Sequence, residues 1–204
     1  RRQRQMCIRD RNGLVLDPFC GTGTVMLEAN VSGRSAIGAD ANPLAVLIAQ
    51  VKTTYIPSEK LQRTLFSVLS RAQRSNAEAS ESTESIQRWF SPSTITQLTR
   101  LEESIGKIKS CEQRKFFLLC FSNLIKKVSF ADPSISVPVK LNPERFIKNP
   151  ERKKATEFKL QTLQCIDVYD KFEDICKLNI RRIESLRPIK AVSYTHLTLP
   201  TNSR

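Results

Sequence analysis

Apolar and polar positions change rhythm twice along this chain. Gly13 to Asp17 is a short apolar run ending on a carboxylate, which predicts a buried strand, and Thr24 to about Ser32 predicts the helix that follows. Ser35 to Asp40 ("SAIGAD") predicts a second strand. A helix is expected from Pro43 to about Thr53, with Asn42 as its N-cap and Pro43 at its first position. Strand, helix, strand, helix at this spacing predicts the start of a doubly wound parallel sheet, an α/β fold.

Beyond Pro57 the rhythm is helical only. Ser58 is placed to cap a helix reaching roughly Ser75, and "SNAEASESTES" (Ser75 to Ser85) is polar low-complexity sequence expected to form a loop. A helix from about Ser93 to Lys109 carries Ile95, Leu98, Leu101 and Ile105 on one face, and another, Glu112 to about Val128, is strongly apolar. Asp132 to Pro150 is interrupted by four prolines, so it is expected to be extended or looped. A single helix is predicted from about Lys154 to Leu186, striped by Cys165, Tyr169, Phe172, Cys176, Ile180 and Ile183. Such stripes form cores, and this half reads as a helical subdomain without internal repeats.

The two ends carry a different kind of signal. Arg1 to Asp10 and Val192 to Thr201 can be encoded by opposite strands of one DNA segment: Met6 (ATG) faces His196 (CAT), Cys7 (TGT) faces Thr195 (ACA), Ile8 (ATA) faces Tyr194 (TAT) and Asp10 (GAC) faces Val192 (GTC). No folding requirement produces that relation, and the implied nucleotide string resembles a transposon-end adapter. Residues 1–11 and 191–204 are therefore expected to be adapter-derived, leaving an internal fragment of a longer protein. The expected organisation is a partial α/β domain over residues 12–57 and a helical insertion over 58–190, an incomplete fold.

Charge and cysteines narrow the chemistry. The chain has a net charge of +13, and it stays clearly basic without the terminal peptides. This balance favours a polyanionic partner, although solvated basic helix faces would give the same count. Arg114, Lys126, Lys127, Lys153, Lys154, Arg181 and Arg182 are the candidate phosphate contacts. The one histidine is His196, so no histidine base or ligand lies between the terminal peptides. Cys20, Cys111, Cys120, Cys165 and Cys176 make no CxxC pair, and no metal site is expected. No long apolar span occurs, so no membrane partner is expected, and reduced thiols of a cytoplasmic protein are the default.

The glycine turn, "LVLDPFCGTGTVMLEA" from Leu14 to Ala29, is where a nucleotide-like ligand would sit. A dinucleotide fold wants G-x-G-x-x-G, but Met26 stands at the third glycine position, which disfavours a pyrophosphate and a nicotinamide oxidoreductase. Asp17-Pro18-Phe19-Cys20-Gly21-Thr22-Gly23-Thr24 instead resembles the first motif of the S-adenosylmethionine-dependent DNA amino-methyltransferases. Asp40, within "GADANPLAVLIAQVKTT", matches their next motif, and the resemblance is most specific over Leu14 to Thr54. It implies a Rossmann-like methyltransferase sheet with a helical insertion. It also implies S-adenosylmethionine as cofactor and double-stranded DNA as partner, methylated on N6 of adenine or N4 of cytosine with the base flipped out.

The residues suit that ligand. Gly21 and Gly23 let backbone approach it without a Cβ, and the following helix N-terminus offers amides to its carboxylate, with Thr24 able to cap. Asp17 suits the ligand ammonium, Phe19 the sulfonium or adenine, and Asp40 both ribose hydroxyls; Asn42 reads first as a helix cap and second as an adenine contact. Cys20 reads as a small turn residue. The alternative for Asp17 and Asp40 is a pair of strand-end caps. In the family, the accepting amino group is held by Asp, Asn or Ser before Pro-Pro and an aromatic residue. No Pro-Pro occurs here, and Asp132-Pro133-Ser134 and Asn142-Pro143-Glu144 are no substitutes, so no catalytic residue is assigned and the fragment is expected to be inactive. Guanine-N2 methyltransferases of transfer RNA share a similar first motif, and a non-catalytic nucleic-acid-binding or interaction module is the reading from a different class.

Overall fold

A computed structural model describes residues 13–78, 84–135 and 137–185. The two terminal peptides, His196 and part of the Ser75 to Ser85 stretch lie outside the described residues. The described residues form two compact units: one takes residues 13–61 together with Cys111–Leu119 and residues 180–185, and the other takes those within Gln62–Ser110 and Cys120–Asn179.

The first unit contains the α/β part. Strands β1 (Leu14–Asp17) and β2 (Ser35–Gly38) pair in parallel, Leu14 opposite Ser35 and Asp17 opposite Gly38. Helix α1 (Thr24–Val31) makes the crossover between them, and α2 (Pro43–Thr53) follows β2. Met26 and Ala29 of α1 are buried with Cys20, Ala36 and the flank of Val15, so one face of the sheet is covered by its own crossover helix. On the other face Leu14 and Leu16 are 61% and 66% exposed. α2 starts as its sequence predicts: Asn42 caps it by accepting from the Leu44 amide at 3.0 Å, with Pro43 in the first turn.

β2 is shorter than predicted. The ladder ends at Gly38, after which the Ala39 amide donates to the Asp17 carbonyl (3.0 Å) and the Ala39 carbonyl accepts from the Cys20 amide (2.9 Å). Ala39 thus ties the end of β2 to the turn after β1 and leaves Asp40 outside the ladder. Ser58 does not cap α3 (Ser58–Arg74) either: the helix starts on the Pro57 carbonyl, while the Ser58 hydroxyl donates to Glu184 at 3.3 Å.

The second unit is helical. Its elements include the short α4 (Glu84–Gln87), α5 (Pro92–Gly106) capped by Ser91, and α7 (Pro150–Gln164) capped by Asn149. α6 (Cys111–Val128) and α8 (Val168–Glu184) are shared: Cys111–Leu119 and the end of α8 from Ile180 belong to the first unit, the rest to the second. The proline-rich stretch is looped as expected, with two local order elements: an isolated antiparallel bridge from Ala131 to Lys140 and a 3₁₀ turn at Pro143–Phe146 capped by Asn142. Phe130, Leu141 and Leu163 form a small core there, with Leu160 and Ile166 against it.

The single helix predicted from Lys154 to Leu186 is two. Cys165 ends α7, and the Asp167 carboxylate accepts from the Tyr169 and Asp170 amides at 2.8 and 3.3 Å, restarting the helix as α8. The break shifts the apolar register. Leu163 and Ile166 turn to the small core, and Cys165, placed by the sequence on the buried stripe, is exposed.

Candidate functional site

The turn between β1 and α1 is held by side chains from two directions. Gly21 and Gly23 both adopt positive φ, 50° and 75°, which glycine alone takes without strain. The Gly21 amide donates to Asp40 Oδ2 at 2.8 Å, so the carboxylate released from the end of β2 fixes the turn. Asp40 Oδ1 accepts from the Asn42 amide at 2.8 Å, and Asn42 in turn caps α2. One carboxylate therefore couples the turn to the start of α2. From the far end of α2, Lys52 Nζ donates to the Thr22 carbonyl at 3.1 Å and lies 3.4 Å from its hydroxyl.

The two glycines do different jobs. A Cβ on Gly23 would fall 2.7 Å from Ala49 Cβ and 2.9 Å from Ala49 Cα, so this glycine serves the close packing of α1 on α2. A Cβ on Gly21 would meet nothing within 4 Å. Of the two turn glycines, Gly21 is the one whose missing side chain leaves open space.

Thr24 does not cap α1, contrary to the sequence expectation. It is the first helical residue, the cap position falls on Gly23, and no side chain caps the helix. A helix begun this way leaves its first amides without intrahelical partners. No acidic residue stands in its first turn to occupy them.

Asp17 ends β1, and its Oδ1 accepts from the Phe19 amide at 3.2 Å. Phe19 is 83% exposed beside the turn. Cys20 is buried, and its thiol is pushed above its ordinary value of 9.0, first by burial and then by the carboxylates of Asp40 and Asp17. A thiol so placed stays protonated and is a poor nucleophile. Among the described residues no group of three or more His, Cys, Asp or Glu side chains is placed to hold a metal ion, and no helix is long and apolar enough to cross a membrane.

The structure therefore brings Gly21, Asp40 and Asn42 into direct hydrogen-bond contact, sets Asp17 and Phe19 at the strand end that leads into this turn, and assigns Gly23 to packing. Lys52 and Ala49 were not singled out from sequence. Ala45 and Ala49, small residues four apart on α2, were the available sign of a close helix approach, and Lys52 lies one turn further along the same side.

Residues 6–51 match a family model described as DNA methylase, a match that begins inside the first terminal peptide. Over 122 residues, 55% of this chain, it is 27% identical to the type II methyltransferase M.MvaI of Kocuria varians, of which that covers 27%. Over 58 residues, 28% of this chain, it is 34% identical to the type II methyltransferase M.MjaII of Methanocaldococcus jannaschii, covering 11% of it. The chain thus spans about a quarter or less of the length of these relatives. No solved structure matches it.

Proposed function

We propose, from the similarity to the DNA amino-methyltransferases that these matches bear out over the α/β segment, that the chain is part of an S-adenosylmethionine-dependent DNA methyltransferase of the restriction-modification kind. Its cofactor site is the crook between the Gly21 turn and Asp40. The target is the exocyclic amino group of adenine (N6) or cytosine (N4) in duplex DNA. The observation that carries this reading is the Gly21 to Asp40 hydrogen bond, which sets a carboxylate, an open glycine turn and an uncapped helix N-terminus side by side.

The donor set fits the cofactor's parts. Each Asp40 oxygen has accepted one amide and retains a lone pair, so the carboxylate can still receive two ribose hydroxyls. Asp17 would take the ammonium, the first amides of α1 the carboxylate, and Phe19 the sulfonium or adenine face. Asn42 is already engaged as a helix cap, which leaves adenine contact as its secondary role. When bound, the cofactor supplies an electrophilic methyl group. The chain's own residues bind and orient, and the protonated Cys20 thiol takes no part as a nucleophile.

We also read the two-stranded sheet as the beginning of a larger one. Parallel sheets are normally covered on both faces, and the exposed Leu14 and Leu16 support an unmet partner on the second face. The 204 residues contain no Pro-Pro-aromatic motif, so no catalytic residue is assigned and cofactor binding without methyl transfer is expected of this chain.

The test is competition. S-adenosylhomocysteine should displace a fluorescent adenosylmethionine analogue from the chain, NAD should not, and Gly21→Ala should abolish binding while the fold survives. Displacement by NAD alone, or full binding by Gly21→Ala, would sink the proposal.

A further inference from the structure

α3 carries a basic and aromatic face that the cofactor reading does not use. Arg63, Phe66, Ser67, Ser70 and Arg74 recur at i, i+3, i+4, i+7 and i+11, which places them on one side of the helix, away from the buried Leu65, Val68 and Ala72. Arg63, Phe66, Ser67 and Arg74 are exposed, and Phe66 is 75% so. The Phe66 ring therefore lies outside the core and is available to a partner.

The ring does not stand alone. An open cleft of about 630 Å³ is lined by Phe66, Ser67, Ser70, Arg71, Gln73 and Arg74. Arg71 anchors there by donating from Nη2 to the Ser104 carbonyl at 3.1 Å, while its Nε is buried with no partner. Arg74 is steadied by donating from Nε to the Ser70 carbonyl at 2.9 Å. Glu103, which accepts from the Ser75 hydroxyl just past the helix end at 2.6 Å, is also paired with Lys107 at 2.7 Å. Glu59 is the one acid on α3 itself, in its first turn.

We propose that this face is a docking surface for a single-stranded nucleic-acid segment, with an unpaired base stacked on Phe66 and its flanking phosphates on Arg63, Arg71 and Arg74. Guanidinium groups alone would suit the phosphates of any nucleic acid. The exposed ring selects the unpaired strand, because stacking needs a base whose face is free. Gln73 and Ser70 supply donors and acceptors for the base edge, and Ser67, whose hydroxyl donates to the Arg63 carbonyl at 3.1 Å, supplies an acceptor, none demanding one sequence. This inference does not rest on the cofactor assignment, since every residue in it lies in the helical unit.

The experiment is fluorescence anisotropy of the full 204-residue chain with a labelled oligothymidine and, separately, a labelled duplex. Phe66→Ala should weaken single-strand binding by about fivefold or more, the worth of one stacked base, and leave duplex binding nearly unchanged. Arg63→Ala with Arg74→Ala should reduce the slope of log affinity against log salt by roughly 1.4 between about 50 and 200 mM. Lys148→Ala with Lys159→Ala, two exposed lysines of the same unit that are not candidate phosphate contacts, is the control for charge alone. Unchanged single-strand affinity in Phe66→Ala, equal losses on duplex, or an equal loss in the control pair would each overturn the assignment. S-adenosylhomocysteine affinity, measured on the same variants, should not move, so failure here is separable from failure of the cofactor site.

Discussion

At the residue scale, two glycines that look equivalent in sequence separate in the structure. Gly23→Ala must place a methyl 2.7 Å from Ala49 at a φ of 75°, and strain and overpacking together should cost about 2–5 kcal/mol of stability. Gly21→Ala carries only the positive-φ cost, about 1–2 kcal/mol, but fills the space where the ligand would lie. Thermal unfolding and ligand titration of both variants should thus rank them in opposite orders. Lys52→Met removes the tether on Thr22 and should weaken S-adenosylhomocysteine binding by roughly two- to tenfold, the net worth of one hydrogen bond. If affinity is unchanged, the tether plays no part in holding the turn for ligand.

Cys20 gives a pH prediction. Folding favours its neutral thiol, so stability from this group is complete at neutral pH and declines as pH climbs past the ordinary thiol value of 9.0, where the unfolded chain ionises first. Cys20→Ala should flatten that alkaline decline. Alkylation near pH 8 should label exposed Cys111 and Cys165 well before Cys20. Equal labelling rates would contradict the buried, carboxylate-flanked placement.

At the element scale, the parts that could be read from sequence were those with their own local chemistry. Asn42 before Pro43 announces the start of α2 because the cap and the preset φ act within three residues, and Asn42→Ala should cost about 1 kcal/mol in chemical denaturation. The first strand was equally legible, as an apolar run ended by Asp17. What failed was whatever depended on partners distant in sequence. The end of β2 is set by Ala39 bonding back to Asp17 and Cys20, and the start of α8 by Asp167, whose capping role was hidden inside an unbroken helical stripe. The Thr24 cap was misplaced because Gly23 took the left-handed position one residue earlier.

At the scale of the whole molecule, the motif order that points to a methyltransferase lies within forty-odd residues, and the DNA methylase match covers the same segment, residues 6–51. There the structure adds what a motif cannot carry: Asp40 reaches its glycine partner directly, across a sequence separation of 19 residues. The helical unit was legible as helices, but its surface was not, because Phe66 in a sequence window looks like one more core residue. The exposed Leu14 and Leu16 pose a question of their own, since a parallel pair of strands buries too little to be stable without further cover.

Isothermal titration of the chain and of its Asp40→Ala variant with S-adenosylhomocysteine tests whether the Gly21 turn and Asp40 form a cofactor site. Saturable binding that falls at least about tenfold in the variant, with an unchanged circular dichroism spectrum, is the predicted result; a tenfold loss corresponds to about 1.4 kcal/mol. No binding by the unaltered chain, or equal binding by both proteins, would contradict it and leave Asp40 as a structural tie between the turn and α2.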